Sequence, residues 1–167
     1  MISTLALCIF PLLMAFAASS DLLTMRISNR LVFLLVAGFF VLAMAIGMPL
    51  QQVGMHLLCA LAVLVVAFAF FAFGWVGGGD AKLAAATTLW LGFGLTLPYL
   101  VYAALLGGVL TLVLLSARNL PLPTGLARIG WVDRLHNKKS GVPYGIALAA
   151  AGLLTYSESG VFHALAG

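Results

Sequence analysis

Apolar residues run along this chain in long blocks, and polar residues collect in a few short gaps between them. A helix that crosses a bilayer needs roughly 20 mostly apolar residues, and six blocks approach that length. They predict helices over Ile2–Ser20, Leu31–Met48, Met55–Phe73, Ala81–Phe93, Leu97–Ala117 and Pro143–Ser157. The fourth and sixth are short and rich in Ala and Gly, as suits interior helices whose backbones approach closely. The expected fold class is therefore all-α: a polytopic membrane bundle of six transmembrane helices, one domain over residues 1–167.

Composition strengthens that reading, with 64% of residues hydrophobic and only 7% charged. A soluble domain of this size could not keep so much apolar surface from water. In lipid the same surface needs no cover.

Charge then orients the bundle. All eight basic residues fall in the first, third and fifth gaps: Arg26, Arg30, Lys82, Arg118, Arg128, Arg134, Lys138 and Lys139. The gaps near Pro49–Gln52 and Gly94–Thr96 carry none. By the positive-inside rule the basic gaps face the cytoplasm and both termini lie outside. The net charge of +4 is thus read as orientation in the bilayer, not as a sign of nucleic-acid binding. Ala15-Phe16-Ala17 resembles a signal-peptidase site, but no basic residue precedes it while Arg26 and Arg30 follow, so an uncleaved first helix is expected.

The long gap from Arg118 to Val142 opens on Leu120-Pro121-Leu122-Pro123, which cannot continue a helix. Beyond it, Ile129, Val132 and Leu135 recur at helical spacing beside Trp131. Either a short interfacial helix or a solvated loop fits. Cys8 and Cys59 sit in apolar runs without CxxC spacing, so they are expected as small buried hydrophobes. No metal site, disulfide or cofactor is expected.

Chemistry narrows to the four acidic residues, Asp21, Asp80, Asp133 and Glu158. A carboxylate at mid-bilayer costs about 2.5–3.5 kcal/mol on insertion scales, so one retained at a membrane helix end calls for a role or a partner. Asp21 closes the first predicted helix and Asp80 opens the fourth, which puts both at the cytoplasmic face. Two neighbouring carboxyls do not both ionise readily; one stays an acid while the other acts as a base. Such a pair can activate water and protonate a leaving amine without metal or covalent intermediate. The bland alternatives stay open: Asp80 as a helix cap, Asp21 paired with Arg26, Asn29 capping the second helix.

Gly77-Gly78-Gly79 precede Asp80. Consecutive glycines permit positive φ and close backbone approach, which an extended substrate strand needs. No Gly-Lys-Ser/Thr follows, so a phosphate loop is excluded. Lys82 either steadies the ionised pair or grips a substrate carboxylate, or snorkels as a helix-end lysine. Asp133 stands among basic residues and is read as solvated, and His136 as a loop residue. Glu158, His56 and His163 fall on the outer side.

Together these segments resemble the type IV prepilin peptidases among the GxGD membrane aspartic proteases. Gly77-Gly78-Gly79-Asp80 fits GxGD and runs on into Ala81-Lys82-Leu83. Asp21 followed by Ile27-Ser28-Asn29 is similar to the first catalytic segment, with Ser28 where the family usually has Pro. Val142-Pro143-Tyr144-Gly145-Ile146-Ala147 resembles the stretch that opens the last helix.

The resemblance implies catalytic Asp21 and Asp80, with Gly77, Gly78, Gly79, Lys82 and Asn29 as supporting or substrate-binding residues. It implies a bacterial inner-membrane enzyme that removes a short basic leader from pilin precursors at the cytoplasmic face, before a hydrophobic segment. Larger members also carry a region with paired cysteines, associated with methylating the new amino terminus. Nothing like it occurs here, so the resemblance is to the peptidase-only enzymes of tight-adherence (Flp-type) pilus systems. Two other classes compete: a proton-coupled transporter and a non-enzymatic assembly subunit. Transporters place charge near mid-membrane and show repeated halves; here both aspartates fall at one face and no repeat is visible.

Overall fold

The structure is a computed structural model that describes the backbone of residues 2–166 and the side chains of residues 6–164. The chain is all-helical among the described residues, in the order α1 (Ile2–Thr24), α2 (Asn29–Ala45), α3 (Leu50–Ala72), α4 (Gly78–Ala117), α5 (Thr124–Ala127), α6 (Gly130–His136), α7 (Gly145–Tyr156) and α8 (Gly160–Ala166). Three of them, α1, α3 and α4, hold stretches long and apolar enough to cross a membrane. The short α8 has no counterpart among the predicted helices. Met1 and Gly167 lie outside the described residues, so the expected position of the termini is not read from them.

The largest departure from expectation concerns the fourth and fifth predicted helices. Gly94–Thr96 is helical, not a loop, and the two helices join as α4 across a single non-helical residue, Gly92 (φ 70°, ψ −179°). Glycine takes that left-handed φ without a Cβ penalty. The break reverses the chain. A straight helix would hold Asp80 and Ala103 about 35 Å apart, yet both line one cavity. Breaking a helix orphans carbonyls of its last turn. Here the buried His56 ring packs against Gly92 and bonds the Leu89 carbonyl at 2.8 Å, and the Thr96 hydroxyl donates to the Gly92 carbonyl at 2.8 Å. The next loop is also displaced: α3 begins at Leu50, so the uncharged gap is Ile46–Pro49.

The core lies where α1, α2, the first half of α4 and α7 meet. Phe10, Met14, Leu35, Phe39, Leu83 and Trp90 are fully buried there. Phe10 stacks on Tyr156 at 4.5 Å, and the Trp90 indole N–H donates to the Leu35 carbonyl at 3.0 Å, satisfying its one polar atom. The Ala-rich first half of α4 is buried from Leu83 to Gly92, and most of α7 is buried too, as small-residue interior helices should be. By contrast Phe33, Met44, Val65, Leu105 and Leu112 face outwards. Cys8 is exposed, against the expectation that it is buried, because it falls on the outward face of α1; Cys59 is buried, and both are free.

The bundle has two distinct ends. At one, the Arg134 guanidinium donates to the Leu23 carbonyl at 2.8 Å, Lys82 Nζ to Asn29 Oδ1 at 3.1 Å, and Lys138 Nζ to Asn119 Oδ1 at 3.1 Å. All three basic gaps therefore gather at that end, as the charge pattern predicts. His56, Gly92 and Gly160 line a small pocket at the other. The long gap resolves into α5 and α6, which bury none of their residues.

Candidate active site

Asp21 sits in the last turn of α1 with its side chain only 5% exposed. The helix stops at Thr24 because Met25 takes a left-handed φ of 53°, a conformation that costs a non-glycine residue on the order of 1–3 kcal/mol. The Ser20 hydroxyl donates to the Arg26 carbonyl at 3.1 Å and the Thr24 hydroxyl to the Ser20 carbonyl at 2.7 Å, which together hold the turn. Ser28 caps α2, accepting from the Leu31 N–H at 3.3 Å. That sets aside the alternative in which Asn29 caps α2; its side chain reaches across to Lys82 instead. Arg26 is exposed, while the buried Asp21 accepts from a backbone N–H.

Asp80 lies in the first turn of α4 and is half-buried. The cap is Gly77, not Asp80; the carboxyl stands near the positive end of the helix dipole. The three glycines do not use positive φ, contrary to expectation: the left-handed residue of this loop is Gly74, at φ 75°. They are needed for close approach. A Cβ on Gly77 would lie 2.7 Å from Asp80 Oδ2, one on Gly78 3.2 Å from the Phe71 ring, and one on Gly79 3.2 Å from the Ile27 side chain. The last contact seats the turn after Asp21 directly against the start of α4.

A third segment completes the arrangement. The Gly145 N–H at the start of α7 donates to Asp21 Oδ2 at 2.7 Å. The neighbouring Tyr144 packs its ring on Gly107 and donates its hydroxyl to the Ala103 carbonyl at 3.1 Å.

Between these segments opens a cavity of about 1080 Å³ lined by both Asp21 and Asp80, whose carboxyls are close enough to act on each other electrostatically. Met25, Trp75, Gly77 and Tyr144 surround that end. Cys59, Val66, Thr96 and Leu100 carry the lining along α3 and the returning half of α4. Val66, Phe70, Phe93 and Leu100 line the cavity and remain exposed, so it is open to its surroundings and not sealed. The polar contact between α3 and the returning half of α4 is self-satisfied: Cys59 Sγ lies 3.0 Å from the Thr96 hydroxyl, which itself donates to Gly92. Two carboxyls lining one apolar cleft can pass a proton through a water between them.

The remaining sequence candidates are elsewhere. Asp133 is exposed on α6, and Arg26 and Arg30 are exposed beside the site. His136 is half-buried on α6. Glu158 and His163 are exposed near α8, and His56 belongs to the α4 break. No three His, Cys, Asp or Glu side chains converge among the described residues. Sequence reasoning missed the Gly145 amide and the strained Met25. The Val142–Ala147 stretch carried a signal for the first; nothing in Met25 marks it as left-handed.

The family model described as the type IV leader peptidase family matches residues 8–112, more than half of the chain, and spans both aspartates. Neither a curated protein nor a solved structure matches it.

Proposed function

Because the chain belongs to the type IV leader peptidase family, we propose that Asp21 and Asp80 are the catalytic pair of an aspartic endopeptidase that cuts leader peptides from pilin precursors. The observation that carries this reading is the shared cavity: a backbone-anchored Asp21 and Asp80 both line one largely apolar cleft. One carboxylate takes a proton from water as the oxygen attacks the scissile carbonyl, and the other carboxylic acid protonates the carbonyl oxygen. The tetrahedral diol then collapses: the ionised carboxylate takes a hydroxyl proton from the diol, the C–N bond breaks, and the other carboxyl's proton passes to the leaving amine. The pair titrates as a unit, so neither residue is assigned the resting proton.

Gathering of the basic gaps at the aspartate end supports a cytoplasmic active site in the bacterial inner membrane, by the positive-inside rule. It fits six spans, with the two halves of α4 counted separately and both termini outside. The lipid bilayer then supplies the route of entry: the apolar segment of the precursor enters the cleft sideways, between α3 and the returning half of α4. Lys82 and Asn29, bonded to each other beside Asp80, support the pair or the substrate, and Gly77, Gly78 and Gly79 admit its backbone. The substrate is a Flp-type precursor. The reaction proposed for this chain is peptide hydrolysis alone.

Cleavage of a Flp-type precursor by the purified chain in detergent tests the reading, with Asp21→Asn, Asp80→Asn and Asp133→Asn alongside. Loss of general acid–base function costs about 10²–10⁴-fold, so the first two variants should be inactive and the third normal. Full activity in either dyad variant would remove that residue from the mechanism.

A further inference from the structure

Arg118 caps the C-terminal end of α4, where a cation is favoured by the helix dipole. It is unlike the other basic residues at this end of the bundle. Arg26, Arg30, Lys82, Arg128, Arg134, Lys138 and Lys139 are exposed, whereas Arg118 is only 6% exposed. Its Nε donates to the Leu135 carbonyl at 2.7 Å and its Nη2 to the Gly141 carbonyl at 2.8 Å. Removing a guanidinium from water is costly, and orientation in the membrane needs only an exposed charge. Burial with two directed bonds calls for another reason.

The second bond leads to one. Gly141 begins a short non-helical strap, Gly141–Tyr144, that runs directly into Gly145. Gly141, Val142 and Tyr144 line the catalytic cavity. The strap is fixed at three points: Arg118 holds the Gly141 carbonyl, the Tyr144 hydroxyl holds Ala103, and the Gly145 N–H holds Asp21 Oδ2. Pro143, buried between them, restricts its own φ and the residue before it. A strap this short and stiff has little slack, so a shift at Gly141 reaches the Gly145 amide.

We propose that Arg118 is a positioning residue for the peptidase reaction: by clamping the Leu135 and Gly141 carbonyls it fixes the strap whose Gly145 amide orients the Asp21 carboxylate. The inference rests on the catalytic reading of Asp21. Arg118 touches neither substrate nor the reacting atoms and acts through the backbone alone. Only the forked guanidinium meets both carbonyls; a lysine ammonium retains the charge and reaches one of them.

The test is steady-state cleavage of a pilin precursor by the full chain in detergent. Wild type is compared with Arg118→Gln, Arg118→Lys and the exposed control Arg128→Gln. A misplacement near 1 Å costs on the order of 10²-fold in rate. Arg118→Gln should therefore lose between about tenfold and 10²-fold in kcat with KM little changed, and its pH–rate profile should be displaced. Arg118→Lys should fall between, and Arg128→Gln should match wild type. A second variant, one glycine inserted between Gly141 and Val142, leaves the Arg118 bonds in place and adds slack; it should lower kcat similarly. Unchanged kcat and pH profile in a folded Arg118→Gln, or in the insertion variant should Arg118→Gln fail to fold, overturns the proposal. If wild type itself cannot cleave, or Asp21→Asn still can, the catalytic reading fails and this inference with it.

Discussion

The Gly145 backbone N–H and the Asp21 carboxyl, 124 residues apart in sequence, meet at 2.7 Å. The contact is possible only because residue 145 has no side chain. A Cβ there would lie 2.7 Å from Asp21 Oδ2 and 2.8 Å from Ile27 Cδ1. Gly145→Ala must therefore push the carboxyl, the Ile27 side chain or the start of α7 aside. We expect about 10²-fold loss of cleavage in a protein that still folds, because the clash is local. Normal activity in Gly145→Ala would mean that Asp21 does not depend on this amide.

How far the sequence reveals this arrangement differs from residue to residue. Long apolar blocks report a membrane bundle because lipid tolerates little else, and scarcity makes Asp21 and Asp80 conspicuous among four acidic residues. The reversal between the fourth and fifth predicted helices is legible, but its place at Gly92, inside continuous helix, is less so. A hydropathy pattern marks where polar residues interrupt a span, and Gly92 turns the chain without any. Nor does it reveal which of several glycines is left-handed; Gly74 and Gly92 are, while Gly77–Gly79 serve by their smallness. The Asp21–Gly145 bond is invisible for a further reason: its donor is backbone, and every residue but proline offers the same one.

The reversal itself makes a prediction about stability. Alanine at position 92 would have to hold a left-handed φ near 70°, with its Cβ 3.0 Å from the His56 ring. That φ with ψ near −179° is a conformation essentially restricted to glycine and costs on the order of 1–3 kcal/mol. Gly92→Ala should unfold at lower temperature in detergent than wild type. Removing the ring as well, with His56→Ala, would relieve the contact but leave the strain and expose the Leu89 carbonyl to loss of its partner. The double variant should therefore remain below wild type. Equal unfolding temperatures for wild type and Gly92→Ala would mean that the turn does not require glycine.

Lys82 and Asn29 offer a sharper test of how the two aspartate-bearing segments are joined. Their 3.1 Å bond links the start of α4 to the start of α2, and both residues are exposed. An exposed hydrogen bond contributes little net stability, about 0.5–1.5 kcal/mol at most. Lys82→Met and Asn29→Ala should each reduce cleavage modestly, and the double variant should lose no more than the worse single one. Additive losses would mean that the two side chains act separately, for instance with Lys82 on the substrate.

The proposed sideways entry of substrate predicts where its affinity resides. Ala62 on α3 and Ala104 on the returning half of α4 both line the cavity, and both are exposed. A tryptophan at either position would occupy space without touching Asp21, Asp80 or the strap. If the apolar segment of the precursor lies in this cleft, Ala104→Trp and Ala62→Trp should raise KM for the full precursor about tenfold, some 1.4 kcal/mol of lost binding. Cleavage of a short soluble peptide that contains the leader junction but lacks the apolar segment should be unaffected, since it needs only the polar end. The comparison separates the cleft from the chemistry. An unchanged KM for the full precursor would put the apolar segment elsewhere on the bundle. An equal loss on both substrates would mean that the tryptophan disturbs the carboxyl pair instead of the path leading to it.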